Sequence, residues 1–332
     1  MKCISLLMAL VITILLSACT AKPATVPGDN IAALRQDYAG SITAAGLQRS
    51  YLVHLPVSYD KSLRRPLVVV LHGGGSDAES MVAMTGFNAV ADKGGFVVAY
   101  PAAYKHTSTG SGLSQHWNDG RGEAQIRAQS EDIDDVAFIS ALIEKLAQEL
   151  NIDTKSVYVT GISNGALMSH RLACELSGRI AAIAPVEGNI PQKTISTWSP
   201  SHPVSVLLIN GTEDPVMPFN GGEITMLSFK TGMVVPVAET VDFWVSRNGC
   251  QATPVREQLA DLNPDDNTTT VIERYAGGRD GNEVALYRVD GGGHTWPGGP
   301  QYMPEKLIGR VSRDFNASEI IWQFFKAHSR KQ

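Results

Sequence analysis

Five residues, Gly161-Ile162-Ser163-Asn164-Gly165, sit where the chain changes character. Residues 157–160 are β-branched and aromatic, as a strand would be, and residues 166–173 carry the Ala, Leu, Met and Arg of a helix. A serine at so tight a strand-to-helix joint, with a glycine two positions away on each side, is placed for nucleophilic attack. Its hydroxyl is a weak nucleophile at neutral pH, so it needs an imidazole to take its proton and donors for the oxyanion that forms. The sharp turn makes the hydroxyl protrude, and the following helix turns its amides and partial positive charge toward the reaction centre. A plain Gly-Ser turn would share this G-x-S-x-G pattern. What separates the two is whether the rest of the machinery is present.

Two other stretches supply it. His72-Gly73-Gly74-Gly75 follows directly on the apolar run 67–71, and glycines there let backbone amides approach a substrate oxygen. Gly73 and Gly74 are both candidate oxyanion donors from this loop, and the amide of Asn164 is expected as the second donor. The acid and base are expected in the order serine, carboxylate, histidine. Gly211-Thr212-Glu213-Asp214-Pro215 follows the run 204–209, and Gly291-Gly292-Gly293-His294 follows the run 284–289. Both lie just past the carboxyl end of a strand, where open α/β sheets place their sites. Asp214 would hold the His294 imidazole in one tautomer and stabilise its protonated form. Glu213 is the rival acid, and the shorter side chain in a G-T-x-D-P loop favours Asp214. The other seven histidines lack such a setting: His170 falls within a helix, His328 near the end of one, and His72 is expected to order its own glycine loop. Trp117 and Trp296 are the aromatic candidates for the substrate pocket. No histidine–carboxylate spacing points to a metal, and no cofactor is expected.

The elements that must position these residues alternate along the chain. Runs at 67–71, 96–100, 157–160, 181–186, 204–210 and 284–289 read as strands buried on both faces. Helical stripes begin near Ser130 and continue to Leu150, run from about Pro236 to Val245, and close the chain over 317–327, with Asn316 as N-cap and Glu319 three residues on. This alternation predicts an α/β fold, a mostly parallel central sheet with helices on both faces. Residues 51–55 alternate instead and predict an outer antiparallel strand. The long polar stretch 104–129 reads as a functional surface loop.

The 332 residues are 43% hydrophobic and 18% charged, with a net charge of −5, which is globular composition with no electrostatic invitation to nucleic acid. Lys2 and the apolar run 4–16 read as a signal peptide. It ends in Leu16-Ser17-Ala18-Cys19, which resembles the bacterial lipobox, so the expected organisation is a signal over 1–18, a lipid-bearing Cys19 with a tether over 19–30, and one catalytic domain over 31–332. The protein is then exported and held to a membrane by its lipid alone, in the periplasm or at the cell surface, or else secreted. Cys174 and Cys250 are the remaining pair after Cys3 and Cys19 and are expected to form a disulfide in an exported protein.

Taken in order, "LHGGGSDA", "QHWNDG", "DDVAFI", "VYVTGISNGALMSHRLACE", "AAIAPVEG", "LLINGTEDPVMPFNGG", "FWVSRNGC" and "GGGHTWPGG" resemble the bacterial esterases grouped with polyhydroxybutyrate depolymerases, feruloyl esterases and acetylxylan esterases. The resemblance spans about residues 45 to 327. It implies an α/β-hydrolase fold with Ser163, Asp214 and His294 as the triad, and hydrolysis of feruloyl, acetyl or hydroxyalkanoate esters. Ala166 stands where many members have a second glycine. Gly74 or Gly75 stands where many have a cysteine in this loop, and "WNDGRGEA" stands where many have a cysteine-rich segment. None of these departures touches the triad; they bear on which ester is cut. An acyltransferase or peptidase on the same fold, or a surface lipoprotein that binds without turnover, are the competing expectations.

Overall fold

The computed structural model describes residues 37–106 and 115–331. The expected signal over 1–18 and the expected lipid-bearing Cys19 and tether over 19–30 lie outside the described residues.

The strands are β1 (Asp37–Ala44), β2 (Leu47–His54), β3 (Arg65–Leu71), β4 (Val97–Pro101), β5 (Ile152–Ile162), β6 (Ala182–Val186), β7 (Ser205–Gly211), β8 (Gly222–Met226), β9 (Phe229–Val234), β10 (Val255–Gln258), β11 (Thr269–Tyr275) and β12 (Val284–Asp290). The helices are α1 (Ala78–Thr85), α2 (Phe87–Gly94), α3 (Arg127–Ser130), α4 (Asp135–Leu150), α5 (Asn164–Glu175), α6 (Val237–Asn248), α7 (Glu305–Ile308) and α8 (Ala317–Ala327). Ten strands make one sheet in the order β1-β2-β4-β3-β5-β6-β7-β12-β11-β10, and β8 and β9 pair as a separate hairpin. The central run from β4 to β12 is parallel, while β2 joins β4, and β11 joins β12, antiparallel. All six apolar runs are strands of that central part. The alternating stretch 51–55 belongs to β2, with β1 outside it as the edge.

Side-chain alternation splits the core into two layers. Leu67, Val69 and Leu71 of β3 join Val157 and Val159 of β5 and Val206 and Leu208 of β7 on one face, under α4, α5 and α6. Val68 and Val70 join Tyr158, Leu207 and Ile209 on the other, under α1, α2 and α8. This is why those strands read as unbroken apolar runs: both faces are covered. The last helix starts as its sequence predicts, the Glu319 amide donating to the Asn316 side chain at 3.1 Å. Helix α1 is capped in the same way, the Ser80 amide donating to Asp77 at 2.9 Å, and it ends at Gly86 in the left-handed conformation.

Register brings the strand ends level. Leu71 pairs with Gly161, Ile162 with Val186, Val186 with Ile209, and Gly211 with Val289. The loops leaving β3, β5, β6, β7 and β12 therefore emerge along one edge of the sheet. The expected surface loop at 104–129 is corrected in part: residues 115–119 are buried. The Asn118 amide donates to Asp135 at 2.7 Å and the Trp117 amide to the Asn164 side chain at 2.7 Å, so this segment is packed into the domain by its own backbone groups.

Candidate active site

The joint between β5 and α5 holds Ser163 at φ 57° and ψ −123°, a strained conformation for a residue with a side chain. Its amide donates to the Val186 carbonyl at 3.0 Å, which ties the turn to the end of β6. The two flanking glycines are there for close approach. A Cβ on Gly161 would lie 2.6 Å from the Leu71 carbonyl oxygen, and one on Gly165 would lie 2.5 Å from that oxygen and 2.6 Å from the His72 oxygen. Any side chain at either position would push β3 away from the joint and the glycine loop that follows it as well.

From the neighbouring loops come the candidate acid and base, Asp214 after β7 and His294 after β12. The Asp214 Oδ2 and His294 Nδ1 atoms are 2.7 Å apart, and both side chains are buried. Asp214 Oδ1 accepts from the amides of Val216 at 2.7 Å and Met217 at 2.8 Å, which fixes the carboxylate's orientation. The backbone of His294 is fixed in turn, its amide donating to Ile308 and its carbonyl accepting from the Tyr302 hydroxyl at 2.8 Å. Glu213 turns outward, its side chain 63% exposed and paired with Arg310 at 3.0 Å. Of the two carboxylates in this loop, only Asp214 faces the histidine. Ser163 and His294 open onto the same cleft, of about 480 Å³.

The glycine loop is held by its histidine. The Ala103 amide donates to His72 Nε2 at 2.9 Å, so Nδ1 carries the proton and donates to the Gly73 carbonyl at 2.7 Å. Burial pushes the His72 pKa down to about 4, so the ring is neutral. The Trp117 indole donates to the His72 carbonyl at 2.9 Å and its ring packs on the imidazole. Gly73 lies against Ser163: a Cβ there would come 3.5 Å from the serine Cβ. Gly74 is closed over by His116, into which any side chain at that position would run. The Asn164 side chain donates to Asp119 at 2.6 Å and grips both backbone groups of Trp117, which locks the first turn of α5. Gly73, Gly74 and the Asn164 backbone thus gather around Ser163.

Two sequence-based expectations are corrected. Neither tryptophan lines the cleft: Trp117 and Trp296 are 0% and 1% exposed. Trp117 supports the glycine loop from behind, and Trp296 packs edge-on against Phe87 with its indole donating to Ser318 at 3.1 Å. The Cys174–Cys250 disulfide is not formed, and both are free thiols. Cys174 is buried on α5 in the core, whereas the Cys250 thiol faces the Asn282 carbonyl at 3.8 Å.

The cleft is lined instead by Met84, Met226, Met303 and Tyr302, with Asp77 and Ser80 at a polar edge. Sequence reading missed all six. The only local signal was the Asp77 cap, whose carboxyl is held below the usual range by its bonds to Ser80.

With this geometry in view, comparisons place the chain among known proteins. Residues 54–233 match the phospholipase/carboxylesterase family. A protein of Nocardia uniformis subsp. tsuyamanensis named as the esterase NocK is 30% identical over 295 residues, covering 86% of this chain and 81% of that one. Feruloyl esterase B of Piromyces equi is 27% identical over 252 residues, covering 74% of this chain but only 42% of its own length. Among solved structures, acetyl xylan esterase from Aspergillus awamori superposes with a TM-score of 0.50 at 16% identity, over 77% of this chain and 94% of that one. That last likeness is one of fold.

Proposed function

The chain belongs to the phospholipase/carboxylesterase family of α/β hydrolases, and on that premise we propose that it is an exported serine esterase with Ser163, His294 and Asp214 as its triad. The observation that carries this is the buried Asp214–His294 pair at 2.7 Å beside a protruding, strained serine in one cleft. His294 takes the Ser163 proton as Oγ attacks the ester carbonyl, and Asp214 stabilises the imidazolium that results. The oxyanion is held by the Asn164 amide at the start of α5 and by an amide of Gly73 or Gly74. His294 then returns its proton to the leaving alcohol, an acyl-enzyme forms, and water activated by the same imidazole releases the acid.

The substrate class follows from the lining. Three methionines give an adaptable apolar wall suited to a short acyl or an aromatic acyl group. Feruloyl, acetyl and hydroxyalkanoate esters all fall within it, and the names of the relatives favour the first two. Cys19, lipidated and left as the first mature residue, anchors the enzyme to a membrane, the acyl chains contributing about 0.8 kcal/mol per buried CH₂.

Purified protein and its Ser163→Ala variant are compared on p-nitrophenyl acetate, methyl ferulate and a hydroxybutyrate oligomer. Activity that disappears in the variant supports the assignment, and the ratio across substrates names the ester. Equal rates with and without Ser163 would refute it. Export by lipidation predicts that cells incorporate labelled palmitate into the wild type and none into Cys19→Ser.

A further inference from the structure

Behind the acid of the triad lies a second carboxyl group. Glu187 is the first residue after β6, held at φ 49° and only 1% exposed. The Gly211 amide donates to its two oxygens at 3.0 and 2.9 Å, and its side chain is in hydrogen-bonding contact with that of Asp214. Among the described residues no lysine, arginine or histidine forms an ion pair with it. Two carboxyl groups in such contact do not both ionise, and a buried carboxylate without a cation is costly. The donors decide which one keeps the charge. Among the described residues Asp214 receives two backbone amides and His294, whereas the Glu187 carboxyl receives the Gly211 amide alone.

We propose that Glu187 is a positioning residue of the active site, a carboxylic acid that keeps its proton and donates it in a hydrogen bond to the Asp214 carboxylate. This rests on the triad proposed above. The bond would stop Asp214 from rotating away from His294 and supply a buried donor where water is excluded. Burial, and then the charge of Asp214, push the Glu187 carboxyl well above the ordinary carboxylate range, which agrees with a retained proton. The groups that face it are Asp214 from the loop after β7 and, from the segment after β12, Tyr302, with His294 one hydrogen bond further on.

Glutamine separates the protonated acid from the carboxylate. It has the same shape, keeps an oxygen for the Gly211 amide and donates toward Asp214. If Glu187 is neutral, the exchange adds no charge change beside the Asp214–His294 pair and the acid limb of the kcat/KM profile stays in place. If Glu187 is ionised, the exchange removes a negative charge and the limb moves to lower pH. The experiment measures kcat and KM against pH for the full chain, Glu187→Gln, Glu187→Leu and Ser163→Ala on p-nitrophenyl acetate, with thermal melts and serine titration by a fluorophosphonate. Glu187→Leu is expected to lower kcat about ten- to hundredfold with KM within about twofold. Glu187→Gln is expected to restore kcat to within about threefold of wild type with the acid limb unmoved. A folded Glu187→Leu protein with wild-type kcat, or a Glu187→Gln acid limb displaced to lower pH, would overturn the proposal. Should the leucine variant fail to fold, the glutamine profile decides by itself. Failure of the triad has a different signature, a Ser163→Ala protein that still turns over.

Discussion

Replacing Asp214 by asparagine tests the geometry more sharply than removing it. Asparagine has the same shape but a single acceptor oxygen. In the native site Oδ1 accepts from the Val216 and Met217 amides at 2.7 and 2.8 Å, and Oδ2 stands 2.7 Å from His294 Nδ1. The two amides belong to rigid backbone, so the asparagine oxygen stays with them and its NH₂ turns to the histidine. Nδ1 must then accept, and the imidazole proton moves to Nε2, the nitrogen left for Ser163. A base carrying its proton on that nitrogen cannot take another from the serine. Flipping the amide gives no relief, because it would leave two buried backbone donors unsatisfied at about 1–3 kcal/mol each. The expected loss is about 10⁴-fold in kcat with KM little changed. The assay is steady-state hydrolysis of p-nitrophenyl acetate, with fluorophosphonate labelling of Ser163 slowing in parallel. Glu213→Gln serves as control and should stay within about twofold of wild type, since an exposed, salt-bridged carboxylate contributes little. An Asp214→Asn enzyme retaining more than about a tenth of wild-type kcat, or a Glu213→Gln enzyme equally damaged, would refute this account.

Gly165→Ala should destabilise by about 1–3 kcal/mol, because its Cβ meets two backbone oxygens at 2.5 and 2.6 Å, and it should cost about 10²-fold in kcat as the oxyanion loop shifts. Urea midpoints and kcat check this, and native values of both would contradict it. Trp296→Phe, which loses a buried hydrogen bond to Ser318, should lower stability by about 1–3 kcal/mol and leave the ratio of methyl ferulate to p-nitrophenyl acetate hydrolysis alone. Met226→Ala, on the cleft wall, should change that ratio by at least about threefold, and the reverse pattern would return the tryptophan to the pocket. Stability should also fall in mild acid. Burial lowers the pKa of His72 and of His170 to about 4, so below the unfolded value of about 6.5 the unfolded chain binds protons that the folded one does not. Their contribution is complete above that value and is lost as pH falls toward about 4, reaching about 2 kcal/mol for each at about pH 5. Denaturant melts at about pH 7.5 and about pH 5 that give equal stability would exclude it.

Much of the fold and of the candidate site could be read from the chain because their constraints are local. A strand buried on both faces must be apolar throughout, so residues 67–71, 157–160 and 204–209 announced the centre of the sheet. The joint at Ser163 needs glycine at 161 and 165 because backbone from β3 passes within contact distance, and that requirement is written into the motif. Asp214 and His294 each follow a strand directly, so their places at one edge of the sheet followed from the fold class. The N-cap at Asn316 was likewise legible, a short-range hydrogen bond between neighbours in sequence.

What the chain did not disclose depends on which distant surfaces meet. Met84, Met226 and Met303 come from three separate segments and have no spacing that announces a common wall; only the packing of α1, the β8–β9 hairpin and the loop before α7 brings them to Ser163. The two tryptophans carried a local cue, nearness to motif residues, but side-chain direction sent Trp117 behind the glycine loop and Trp296 into the core. Cys174 and Cys250 looked like a pair by count, and their thiols face different surroundings. Glu187 looked like any charged residue after a strand until β6 and β7 set it against Asp214. Sequence determined which segments form the central strands and which loops carry the candidate groups, because each of those local patterns is written within a few positions. Tertiary structure alone decided the cleft wall and the burial of each side chain, because those depend on contacts between segments tens of residues apart.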